Sequence, residues 1–137
     1  MAVDVGSKRT GLAVSDPGQK IAFGLATVES HKIWEYLEAY FLKEKVDEIV
    51  VGQPLTLAGK PSQGTPFAEK FAREFERKFS SIARQLMEER FTSKMATLSR
   101  LESGVKKMDR RDKEAIDQIS ATILLQNYLL LLENKKR

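Results

Sequence analysis

Residues 1–16 read MAVDVGSKRTGLAVSD, and this stretch decides the fold. Two short apolar runs, at 1–5 and 12–15, flank the polar segment SKRTG, which ends in glycine. Apolar runs punctuated in this way read as β-strands joined by a tight turn. DPGQK at 16–20 places proline and glycine in turn positions, and residues 21–28 supply a third strand. Three strands in close succession predict an antiparallel meander. Asp4 lies inside the first of them, where burying an acid is costly unless it is paired or metal-bound.

Beyond the meander, Ser30 reads as the N-cap of a helix whose apolar positions Ile33, Leu37, Tyr40 and Phe41 follow helical spacing, with Trp34 widening the face. Asp47 leads into EIVVGQP, a β-branched run ended by Gly52 and Pro54. A strand that follows a crossover helix is expected to pair parallel to an earlier strand. LTLAGKPSQG at 55–64 is a loop, and Thr65-Pro66 starts a second helix. Phe67, Phe71, Phe75 and Phe79 then recur every four residues and predict an aromatic face packed on the sheet.

Residues 82–89 read as a further strand, and Thr92 or Ser93 caps a short helix running to Leu101. A charged connector, KKMDRRDK at 106–113, precedes the last helix, where Ile116, Ile119, Ile123 and Leu130 mark one apolar face. Leu124, Leu125, Leu129 and Leu131 make that helix apolar nearly all round. The tail ENKKR is expected to fray. The resulting order, βββαβαβαα, describes one mixed α/β domain over 1–137, with a five-stranded sheet flanked by helices.

Composition narrows the chemistry. The chain has 137 residues, no cysteine and one histidine, His31, so disulfide scaffolds, thiolate zinc sites and His-rich metal sites are excluded. A bound metal must be held mainly by oxygen. The net charge of +4 suits a polyanionic partner. The N-terminus opens on a strand pattern, not on a secretory leader, and the apolar stretches fall short of a membrane span of about 20 residues. A cytoplasmic protein with no membrane partner is expected.

Asp4, Glu89 and Asp117 sit on strand, strand and helix. Gathered into one pocket, three carboxylates make a hard-oxygen seat for Mg²⁺ or Mn²⁺. Such a seat supports metal-assisted attack of water on a phosphodiester. The expected arrangement has Asp4 bridging two ions about 4 Å apart, with Glu89 and Asp117 on either side. Glu114 shares a helical face with Asp117 and is a candidate fourth ligand.

Four segments in order, DVGSKRTGLAVSD, DEIVVGQPLTLAG, EERFTS and AIDQISATILLQNYL, resemble the successive motifs of the YqgF family. The resemblance runs from Met1 to about Leu130. It implies a ribonuclease H-like fold, kinship with RuvC-type Holliday junction resolvases, and a nuclease acting on branched DNA or on the 5′ end of pre-16S rRNA. It also implies roles for the acids. Asp4 matches the acid of the first strand, Glu89 the glutamate of the acidic-acidic-arginine motif, and Asp117 the acid of the last helix. The chain departs from the family pattern with Glu88 for aspartate, Gln53 for leucine and Ser120 for alanine. The family's first strand commonly runs longer than the three residues before Asp4, which points to a shortened or late start.

Lys8 and Arg9, on the turn beyond Asp4, together with Lys106, Lys107, Arg110, Arg111 and Lys113 ahead of the last helix, are the candidate phosphate contacts. Asp16 reads as a turn residue and His31 as a first-turn helix residue. Two other classes share these features. One is a nucleic-acid-binding protein without turnover. The other is a phosphate-binding lobe of the actin and sugar-kinase type, which needs two such lobes where this chain has length for one. Within the nuclease class, junction resolution calls for a two-fold homodimer, while RNA processing is open to a monomer.

Overall fold

The computed structural model describes residues 1–55, 58–90 and 110–135. Five strands, β1 (Ala2–Val5), β2 (Arg9–Ser15), β3 (Ala22–Glu29), β4 (Glu48–Leu55) and β5 (Ala83–Arg90), form one sheet in the order β3-β2-β1-β4-β5. β1, β2 and β3 pair antiparallel, as the meander requires, whereas β4 runs parallel to both β1 and β5. The parallel strands need crossovers. α1 (Ile33–Lys43) connects β3 to β4, and α2 (Thr65–Lys78) connects β4 to β5. A long helix, α3 (Arg110–Lys135), closes the chain. The expected mixed α/β architecture is therefore present; the short helix expected from 92 to 101 lies outside the described residues.

Alternation along each strand sends successive side chains to opposite faces. One face carries Val3, Leu12, Ile49 and Val51, packed against Ile33 and Leu37 of α1 and Ala68, Phe71, Ala72 and Phe75 of α2. Trp34 stacks on Phe71 with ring centroids 4.8 Å apart, and Phe41 meets Phe75 and Phe79 edge-on. The phenylalanine stripe is core, as its period predicts, except at its first member: Phe67 is 46% exposed. The other face carries Ala2, Ala13, Ala22 and Val50, covered by Ala121, Leu124, Leu125 and Leu129 of α3.

Several local expectations are corrected. β2 begins at Arg9, so Thr10 and Gly11 are strand residues and the connecting turn is confined to residues 6–8. Ser30 opens a 3-10 turn, not α1. Its hydroxyl donates to the Gly6 carbonyl at 2.6 Å and shares a hydrogen bond with Thr10 at 2.9 Å. It therefore caps the hairpin instead of a helix. Thr65 is the first residue of α2; its hydroxyl accepts from Ser62 N–H and donates to the Pro54 carbonyl. Asp16 is the turn residue expected, its Oδ1 accepting from the backbone N–H of Lys20 and Ile21, each at 2.8 Å.

α3 departs most from its sequence reading. Ile119 and Leu130, assigned to the inner face, are 46% and 49% exposed, while Ala121, Leu124, Leu125 and Leu129 are buried. A helix apolar on nearly every side carries no phase in its pattern, so the small Ala121 facing a small-residue sheet sets the rotation. The helix continues through Lys135, so Glu133, Asn134 and Lys135 are not frayed. Its length and composition also depart from the expectation: the 23-residue segment Lys113–Lys135 contains an 18-residue window with a mean hydropathy of 1.3, enough to cross a membrane by length and composition alone. In this fold that length lies against β1, β2 and β3 as a core helix.

Candidate active site

Asp4 follows Val3 in β1, so alternation turns it to the α3 side of the sheet. Its partner across the antiparallel ladder is Gly11. A Cβ at Gly11 would stand 2.2 Å from the backbone carbonyl oxygen of Asp117, well inside any tolerated contact. Glycine here lets the backbone of α3 press directly on β2 beside Asp4. Polar ties hold the helix in that position. The Thr27 hydroxyl donates to the Glu114 carbonyl at 2.6 Å, and Gln126 accepts from Ala22 N–H while donating to the Lys20 carbonyl, both at 3.1 Å.

Glu89 lies near the end of β5, two residues after Met87, which packs on the α3 side. Its carboxylate crosses Gly52 of the neighbouring strand, where a Cβ would stand 2.5 Å from Glu89 Oε2 and 3.1 Å from Leu124. Burial, and after it the negative charge of Asp4, push the Glu89 carboxyl up to about 8 from 4.5. Asp4 and Glu89 are thus brought together, although 85 positions apart by residue number (89 − 4).

Asp117 is differently placed. Its backbone presses on Gly11, the ladder partner of Asp4, but its Oδ2 accepts a hydrogen bond from Arg9 Nε at 2.7 Å, with both side chains about four-fifths buried. Among the described residues, no group of three or more acidic or histidine side chains stands ready to hold a metal. The expected three-acid cluster therefore takes the form of an Asp4–Glu89 pair, with Asp117 alongside and neutralised by Arg9. Glu114 contributes its backbone carbonyl to Thr27 and belongs to no such group.

The candidate phosphate contacts divide by position. Lys8 sits exposed on the hairpin turn, and Arg9 starts β2. Arg110, Arg111 and Lys113 form the first turn of α3 instead of a connector. Lys106 and Lys107 lie outside the described residues. Sequence reasoning missed Gly11 and Gly52, having read the first as the end of a turn and the second as a strand terminator. The available signal was a lone glycine inside a strand pattern, which marks close approach of another backbone or side chain.

The donor set fits a hard divalent cation. Two carboxylates share a partly desolvated space in which burial and mutual repulsion disfavour the charged form of Glu89. A divalent cation offsets both costs, and oxygen ligands select magnesium or manganese over softer metals.

Comparison with known proteins shows the family of the chain. The family model described as "RuvX: Holliday junction resolvase" matches residues 1–130. Proteins named "Putative pre-16S rRNA nuclease" from Flavobacterium psychrophilum and Christiangramia forsetii are each 46% identical over 129 residues. These alignments cover 94% of this chain and 94% and 96% of the respective relatives. A protein of the same name from Porphyromonas gingivalis is 43% identical, with 94% of each chain covered.

Proposed function

The chain belongs to the RuvX family, which its sequence resembles under the name YqgF, and from that membership and its ribonuclease H-like fold we propose that it is a metal-dependent nuclease. It hydrolyses phosphodiester bonds in structured nucleic acid, with the 5′ end of a pre-16S rRNA as the favoured substrate because the similar curated proteins carry that name. The observation that carries the reading is the partly buried Glu89 carboxyl held beside Asp4, a pairing that costs stability unless a cation occupies it.

Asp4 and Glu89 would hold Mg²⁺ or Mn²⁺, with Asp117 as the third carboxylate. When bound, such a cation acidifies water and offsets charge on the phosphate oxygens. The protein's own groups do the positioning. Gly11 lets Asp117 descend to the level of Asp4, and Gly52 leaves room for Glu89 above the sheet. Arg9 fixes the Asp117 carboxylate and brings a permanent positive charge to where a phosphate must approach. RNA processing of this kind needs no two-fold partner.

The test gives one preparation, with Mg²⁺ or Mn²⁺, both a pre-16S rRNA 5′ segment and a four-way DNA junction, beside the Asp4→Asn variant. Cleavage of the RNA by the wild type, absent in the variant, is expected. Cleavage of the junction alone would move the substrate to branched DNA. Binding of either without cleavage would leave a non-catalytic nucleic-acid-binding protein.

A further inference from the structure

Next to the acids lies a basin that shares Arg9 with them and whose other walls the proposed reaction does not use. Ser7 and Lys8 from the β1–β2 turn, Arg9 and Glu29 from paired ends of β2 and β3, His31 from the 3-10 turn, and Lys113 from α3 wall a cavity of about 520 Å³. Sites for small organic ligands span about 300–1,000 Å³, so the basin has room for a nucleotide unit and not merely an ion. We infer that this basin seats a second, non-reacting phosphate of the nucleic-acid strand. The inference rests on the nuclease reading for the identity of its ligand.

The charges favour an anion. Lys8 of the hairpin turn and Lys113 of α3 bring cations from separate segments, while the charge of Arg9 is paired with Asp117. The basin's acid, Glu29, stands 3.5 Å from both His31 Nε2 and Lys32 Nζ, so its charge is offset. The walls are also pinned. Ser30 N–H donates to the Lys8 carbonyl at 2.9 Å, and the Ser30 hydroxyl holds the Gly6 carbonyl at 2.6 Å. The backbone that carries Lys8 is thus ordered before any phosphate binds.

Position identifies the anion as part of a strand. Arg9 both lines the basin and donates to Asp117, so it is a shared wall between basin and acids. A ligand with one phosphate fills one compartment, whereas a polynucleotide carries a further phosphate for the other. His31 and Lys113 then set the path of the strand, and they position it without reading sequence.

The test measures binding of a fluorescein-labelled single-stranded RNA by anisotropy, in EDTA so that cleavage cannot intervene, across a salt series. The His31→Ala/Lys113→Ala double variant is expected to bind about tenfold more weakly. The slope of its log affinity against log salt should be shallower by about 0.7 for each phosphate it no longer neutralises. Lys113→Arg should restore most of the affinity. Lys70→Ala, on the exposed side of α2 across the sheet, should bind as the wild type does. Equal affinity and slope in the double variant, or no RNA binding by the wild type in EDTA, would overturn the basin. Absence of metal-dependent cleavage by the wild type would instead overturn the nuclease reading, leaving the binding comparison to decide the basin by itself.

Discussion

The two faces of the sheet are made from side chains of different size, and they do different work. Toward α1 and α2 the sheet presents Val3, Leu12, Ile49 and Val51, met by Leu37, Phe71 and Phe75. Toward α3 it presents Ala2, Ala13 and Ala22, met by Ala121 and the leucines, with Gly11, Gly24 and Gly52 each closely approached by a neighbouring group. Large residues keep α1 and α2 at a distance and bury much apolar area. Small ones let α3 sink until its backbone touches β2. The acids occur on the thin face, because only there does a helix come close enough for its carboxylate to reach the level of a strand's.

Substitutions on the two faces should therefore separate stability from activity. The largest expected effect is on the thin face: Asp4→Asn keeps shape, removes charge and abolishes nearly all metal-dependent cleavage, while the circular dichroism spectrum stays that of the wild type. Retained cleavage would remove Asp4 from the metal site. On the thick face, Phe75→Ala empties a fully buried position and should cost about 3–5 kcal/mol in urea unfolding. Below its unfolding midpoint the variant should still cleave. Gly11→Ala lies between these cases. Its methyl meets the Asp117 carbonyl, so a loss of about 1–3 kcal/mol is expected together with a fall in cleavage that the stability loss alone does not explain.

The candidate acids were legible in part. Asp4 and Glu89 were legible as acids on two strands and Asp117 as an acid on the last helix, and the family resemblance grouped the three. The Arg9–Asp117 pair was not legible. It joins positions 108 residues apart, and local spacing says nothing about which cation a carboxylate finds. The rotation of α3 was hidden for another reason. With leucine and isoleucine on almost every side, only the fit of Ala121 and Asp117 against small sheet residues selects the buried seam. Gly11 and Gly52 looked like turn punctuation because the groups that crowd them come from other elements.

A smaller effect sharpens the same comparison through pH. The folded protein keeps the Glu89 proton up to about 8, whereas the unfolded chain releases it near 4.5. Between these values the folded state binds more protons, so metal-free stability should fall as pH rises from about 4.5 to about 8. Glu89→Gln should flatten that decline in a urea series at several pH values, and an unchanged slope would argue against a partly buried, acid-paired Glu89. Phe75→Ala should lower the whole curve without altering its slope.

The direct test of a cation seat between Asp4 and Glu89 is calorimetric unfolding at pH 8 with increasing Mn²⁺. A ligand that binds only the folded state raises the unfolding temperature as its concentration rises above its dissociation constant. The wild type should rise steadily with Mn²⁺, while Asp4→Asn and Glu89→Gln should not. An equal rise in all three proteins, or none in the wild type, would contradict the assignment of these carboxylates as the seat.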